Sequence, residues 1–149
     1  MLERFTHDGR RVVARAAETA EGLAHDHVGT GHLLLVLLHP SAGLSATVLR
    51  TAGLDAQHGR DELGQVPAAQ GRRRRAGGSA RVSAGAQQAL AASVRESADL
   101  GAHRVDPAHI LLGVLADDSN VAARIVARAG VDREELRRRT IASITDPMR

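Results

Sequence analysis

Two stretches constrain this chain more than any others: Thr30-Gly31-His32-Leu33-Leu34-Leu35-Val36-Leu37-Leu38 and Pro107-Ala108-His109-Ile110-Leu111-Leu112-Gly113-Val114-Leu115. Each has a helix-starting residue, a small residue, a histidine and an aliphatic run. A bilayer span needs roughly 20 apolar residues, so neither run is long enough to cross one. A surface helix keeps one polar face, and these keep almost none. Each is therefore expected to be the buried central helix of a folded unit, present twice.

An offset of 77 aligns residues 5–55 with 82–132 without a gap. His32 meets His109, Leu34 meets Leu111, Leu38 meets Leu115, and Ala52-Gly53 meets Ala129-Gly130. Glycines and cap residues kept in step over that length are the signature of an internal repeat. Four helices are expected per unit. Helix 1 is capped by Thr6 and runs to about Leu23, with Val12, Val13, Ala16, Ala20 and Leu23 on one stripe. Thr30 is expected to cap helix 2, and Pro40 to stop it. Helix 3 spans Leu44 to about Thr51 and ends at Gly53. Asp55 caps a weak helix 4, interrupted by Gly59. In the second unit Ser83 caps the first helix, and Asp106-Pro107 opens the central one. Asp132 to Glu135 has capping-box spacing, and the last helix ends at Asp146-Pro147. No run of alternating β-branched or aromatic residues predicts a strand. The expected fold is all-α, eight helices in two four-helix repeats: residues 1–64, a flexible linker 65–81, and residues 82–146.

Composition removes several functions. The 149 residues contain no cysteine, which excludes disulfides and thiolate metal sites. All 20 basic residues are arginine and none is lysine, so a phosphate-binding Gly-x-x-x-x-Gly-Lys loop is absent. Charge is uneven. Residues 1–71 hold six Arg against eight acids, and 82–149 hold nine of each. Residues 72–81 hold five Arg and no acid. The folded units are near neutral and the excess lies in the connector, which argues against a membrane or nucleic-acid surface spread over the whole protein. Met1 to Arg4 is charged and no apolar run follows, so a cytoplasmic protein is expected.

The residues Arg4-Phe5-Thr6, Arg11-Val12-Val13 and Val28-Gly29-Thr30-Gly31-His32-Leu33-Leu34-Leu35, with the second motif at Ala108 to Leu115, resemble the Clp N-terminal (Clp R) domain. The likeness covers about residues 2–144 and is nearest the ClpC branch of the Clp AAA+ chaperones. It implies a pseudo-twofold all-α fold. It also implies a non-catalytic module that binds client proteins, peptides and Clp adaptors for an ATPase ring and often ClpP. As a free-standing protein the chain would act as an adaptor, or as a decoy for clients or for natural peptide inhibitors of Clp. The family's ligand surface lies between helices 1 and 5. Carried over, it comprises Leu2, Phe5, Arg10, Val13, Ala14 and Ala17, with Val82, Ser83 and Gln87. The family usually has Glu before the motif histidine, able to pair with the guanidinium of a phosphoarginine mark. Here those positions are Gly31 and Ala108, so that charge-assisted recognition is expected to be lost. Aromatic residues of the family surface are here Leu2 and Val82.

Other candidates rank lower. His32 and His109 lack carboxylate partners on their helices and read as structural histidines bonding nearby backbone. His25-Asp26-His27 has no third metal ligand, so no metal or cofactor is expected. Arg72, Arg73, Arg74 and Arg75 read as a solvated linker. They are also the one candidate anion contact and the basis of an alternative role as a small nucleic-acid-associated protein. No aromatic residue stands beside them to stack on bases. Gly43 to Thr47 and Gly77 to Arg81 each lack the second glycine of a nucleophile elbow, so no enzyme is expected.

Overall fold

The computed structural model describes residues 2–66 and 81–146. Its helices are α1 (His7–Gly22), α2 (Thr30–Leu37), α3 (Leu44–Thr51), α4 (Ala56–Leu63), α5 (Ala84–Asp99), α6 (Pro107–Leu115), α7 (Val121–Arg128) and α8 (Arg133–Thr145). Adding 77 to α1 through α4 gives the starts of α5 through α8, so the repeat in the sequence is a repeat in the fold. Short 3-10 turns cover Leu2–Arg4 and Pro40–Ala42.

Helices α2 and α6 are buried almost throughout, as the two aliphatic runs predict, and Leu33, Leu34 and Leu37 of α2 join Ile110, Leu111 and Leu115 of α6 in one core shared by both repeats. Glu62 is buried on α4 and meets Arg124 at 3.4 Å and Arg128 at 3.3 Å on α7, a further tie between the halves. Removing both arginines would strand a buried carboxylate.

The caps hold at Thr6, Asp55, Ser83 and Asp132, whose side chains accept from the backbone N–H of Gly9, His58, Ala86 and Glu135. Thr30 is a correction. The N-cap of α2 is Gly29, and the Thr30 hydroxyl instead accepts the N–H of Ala122 at 3.2 Å, capping the first turn of α7 in the other repeat. Only half of the capping box at Asp132 forms, because Glu135 turns to Arg138 and Arg139. Gly59 does not interrupt α4. Its Cβ position lies 3.2 Å from Leu35, so it serves close approach to α2.

Two short strands were not legible either. β1 (His27–Val28) and β2 (Arg81–Val82) pair in parallel, and Phe5 bridges Val105 in the same sense. The offset equates Phe5 with Val82 and Val28 with Val105, so the two pairings are one exchange made twice. The residue entering each repeat's first helix pairs with the residue leaving the other's. Two-residue strands carry no periodicity, which is why sequence patterning misses them. Gly9 permits the exchange, since a Cβ there would sit 2.5 Å from the Val105 carbonyl oxygen.

The repeats differ in how tightly their first two helices pack. A Cβ on Gly113 would overlap the Ala89 carbonyl oxygen and Ser93 Oγ, so α6 lies directly on the α5 backbone. The equivalent residue in the first repeat is Val36, which holds α2 further from α1.

Candidate functional site

The nine residues expected at the α1/α5 surface divide by exposure. Leu2 is 37% and Val82 38% exposed, large values for apolar side chains. Arg10, Ala14 and Gln87 are exposed, and Val13, Ala17 and Ser83 are half-buried. Phe5 is a correction: it is fully buried, because its bridge to Val105 draws the ring into the core. Leu23, expected on the buried stripe, is 38% exposed.

The backbone exchange positions both groups. Thr6 N–H donates to the Val105 carbonyl at 3.0 Å, and Ser83 N–H donates to the Val28 carbonyl at 2.9 Å. Arg10 Nε donates to the Leu2 carbonyl at 3.2 Å, and Gln87, its equivalent, donates to the Val82 carbonyl at 3.2 Å. Each first helix thus holds its own incoming segment in place, with an apolar side chain left outward. No hydrogen bond among the described residues joins the α1 group to the 82–87 group.

The motif histidines are structural, as their spacing from the caps suggests. His32, His58 and His109 stand three residues after an N-cap, and each Nδ1 accepts that cap's N–H: Gly29 at 2.9 Å, Asp55 at 3.1 Å and Asp106 at 2.9 Å. This is the place that Glu or Gln takes in an ordinary capping box. A backbone N–H can only donate, so His32 carries its proton on Nε2. That proton faces His25 Nδ1 at 2.9 Å, and His25 Nε2 in turn donates to the Val66 carbonyl at 3.2 Å. Burial, and secondarily the His25 ring, push the His32 pKa down to about 4. His109 is also lowered, chiefly by burial, and its Nε2 has no partner among the described residues, Ala102 standing where the first repeat has His25. Sequence reasoning missed the His25 partnership; the extra histidine in one copy only was the available signal.

His27 is exposed where His25 is buried, and it meets Asp26 at 2.9 Å. No group of three metal-binding side chains exists among the described residues. Arg72 to Arg75 lie outside the described residues, as does most of the expected linker. Its ends are fastened to one loop, Val66 by His25 and Arg81 by the Asp26 carbonyl.

The first of the two carboxylate positions is Gly31. It is buried, and a Cβ would lie 2.9 Å from both Leu63 and Val121. Side chains of α4 and α7 close over the spot. Ala108 is 6% exposed.

Each repeat also carries a cleft beside its central helix, one of about 450 Å³ and the other of about 470 Å³. Arg15, Glu18, Val36, His39 and Ala56 line the first, and the same offset turns these into Ala92, Arg95, Gly113, Ala116 and Arg133, which line the second. The clefts are one feature of the repeat with two different linings.

A family profile described as the Clp repeat (R) N-terminal domain matches residues 4–129 and again 81–148. The chain belongs to this family. Its Clp R fold recurs in the N-terminal domain of the ClpD chaperone from Arabidopsis thaliana, with a TM-score of 0.75 and 21% identity over 97% of this chain and 99% of that one. It recurs in a ClpV N-domain solved with a VipB peptide, with a TM-score of 0.71 and 18% identity over 95% and 89%. Among curated sequences, the chloroplastic chaperone protein ClpC2 of Oryza sativa subsp. japonica is 32% identical over 97% of this chain. The Clp R chain spans 16% of that relative's length. No helix among the described residues is long and apolar enough to cross a membrane.

Proposed function

We propose that this Clp R domain is a non-catalytic binding module. It offers the outer face of α1 and the segment entering α5 to peptides, client proteins or Clp adaptors. One observation carries the reading: Leu2, whose carbonyl is held by Arg10, and Val82, in the exchanged strand β2, both stay exposed, while Val13 and Ala17 of α1 are half-buried. An apolar patch kept in water by a backbone device suits a partner that buries it. The ClpV N-domain solved with a VipB peptide supports a peptide ligand by likeness of fold. With Gly31 overlaid by Leu63 and Val121, recognition here runs through apolar contact and not through a paired guanidinium. Work as a cytoplasmic adaptor or decoy, for clients or for peptide inhibitors of a Clp ATPase and ClpP system, belongs to the same proposal.

The test is an array of tiled peptides probed with labelled wild-type protein and with Val13→Asp. A carboxylate on the apolar face should abolish binding to the apolar peptides in a variant that still folds, with a lowered melting temperature because Val13 also packs against the core. Equal binding by a folded variant would remove α1 from the site.

A further inference from the structure

The cleft of the first repeat gathers three arginines from three helices: Arg15 of α1, Arg50 of α3 and Arg60 of α4. Leu35, Val36 and Ala56 give it an apolar floor, and Glu18 is its only carboxylate among the described residues. Each arginine has a neutral partner. Arg15 donates to Ser41 Oγ at 3.3 Å, Arg50 Nε to the Leu38 carbonyl at 3.0 Å, and Arg60 to Gln57 Oε1 at 3.4 Å. None of the three lies within ion-pair distance of a carboxylate among the described residues. On α7 and α8 the pattern is opposite: Arg124, Arg128, Arg133, Arg137, Arg138 and Arg139 all pair with glutamates.

The second repeat shows what is missing. The equivalent of Arg60 is Arg137, whose two terminal nitrogens grip the two oxygens of Glu96 at 2.8 and 3.0 Å. The equivalent of Glu96 is Thr19, which lines the first cleft, its hydroxyl turned back to the Arg15 carbonyl at 2.8 Å. The first repeat has kept the guanidinium, lost the carboxylate and gained Arg15 and Arg50 where the second has Ala92 and Ala127. A planar guanidinium fork recognises a carboxylate in two parallel hydrogen bonds, and near an apolar floor that contact is strengthened.

We propose that this cleft binds a glutamate-bearing segment of a partner polypeptide, its carboxylate taking against Arg60 the place that Glu96 takes against Arg137, and a neighbouring aliphatic side chain resting on Leu35 and Val36. The site is separate from the α1/α5 face and does not rest on it. The excess of guanidinium over carboxylate supplies the charge complementarity. The neutral lining of the second cleft, with Asp117 and Asp118 beside Arg95 and Arg133, makes the site specific to the first repeat.

The probe is a fluorescein-labelled, end-blocked hexapeptide alternating leucine and glutamate. It is titrated by anisotropy against wild type, Arg60→Gln, Arg50→Gln, Thr19→Glu and Arg95→Gln, each checked for folding by circular dichroism. A charged hydrogen bond lost from the site weakens binding by about 10-fold or more, so Arg60→Gln and Arg50→Gln should each do so. Thr19→Glu fills the site from within and should weaken binding as much without lowering the melting temperature. Arg95→Gln, in the cleft of the second repeat, should bind as wild type does. The same peptide with glutamine for glutamate should bind at least about 10-fold more weakly. Equal affinity for the glutamine peptide, or wild-type affinity in folded Thr19→Glu and Arg60→Gln, would overturn the proposal. Displacement by inorganic phosphate as effective as by unlabelled peptide would also overturn it, in favour of a general anion site.

Discussion

Replacing His32 by glutamine should make the fold less sensitive to mild acid. His32 Nδ1 accepts the Gly29 N–H while its Nε2–H supports His25. A second proton on the ring would break the cap and place a charge in the core. In the unfolded chain the ring titrates near 6.5, and in the fold near 4. As pH falls below 6.5 the unfolded chain takes up a proton that the folded chain refuses, so stability declines until about pH 4 and then levels off. Above 6.5 both states are neutral and this group contributes no pH dependence. At ~1.4 kcal/mol per unit, the full interval is worth ~3 kcal/mol. The portion between about pH 7 and about pH 5 is ~2 kcal/mol. Glutamine is the ordinary residue at this helix position and keeps an acceptor for the Gly29 N–H. Urea unfolding of wild type and His32→Gln at those two pH values gives the comparison. Wild type should lose ~2 kcal/mol more than the variant on acidification. His109, also lowered, should leave the variant with a smaller slope of the same sign. If the two proteins lose stability equally, the His32 ring is not held neutral by its surroundings and the reasoning fails.

Two further substitutions probe the asymmetry of the repeats. Gly113→Ala should destabilise by ~1 to 3 kcal/mol, since the added methyl falls on the Ala89 carbonyl and helices α5 and α6 must part. At ~3 °C per kcal/mol in a protein of this size, calorimetry should show a fall of several degrees, and an unchanged melting temperature would contradict the close approach. Ala24 has a φ of 59° where the second repeat has Gly101 at 77°. Ala24→Gly should therefore gain ~0.5 to 1 kcal/mol in urea unfolding, the relief of left-handed strain outweighing the entropy of glycine, and a loss would refute it.

The eight helices were legible because their signals are local and each occurs twice. The aliphatic runs at 30–38 and 107–115 can only be central helices, and Gly53 and Gly130 stop α3 and α7 with φ values of 105° and 76°. What the sequence hid depends on contacts between repeats. Thr30 has the right residue type for a cap and caps a helix that begins 91 residues later. Phe5, the one aromatic residue, looks like a ligand contact by likeness to the family, yet the exchange with Val105 removes it from the surface. The Arg60 and Thr19 substitution is visible only once Arg137 and Glu96 are seen as a bridge.

The outer face of α1 and the entry to α5 are the proposed place where a partner binds. The most direct measurement is a two-dimensional amide NMR titration of the folded protein with an apolar peptide taken from the array. Shifts concentrated in residues 7–17 and 81–87, with little change along α3 and α4, are the predicted result. Shifts confined to α3 and α4, or spread evenly over both repeats, would contradict it.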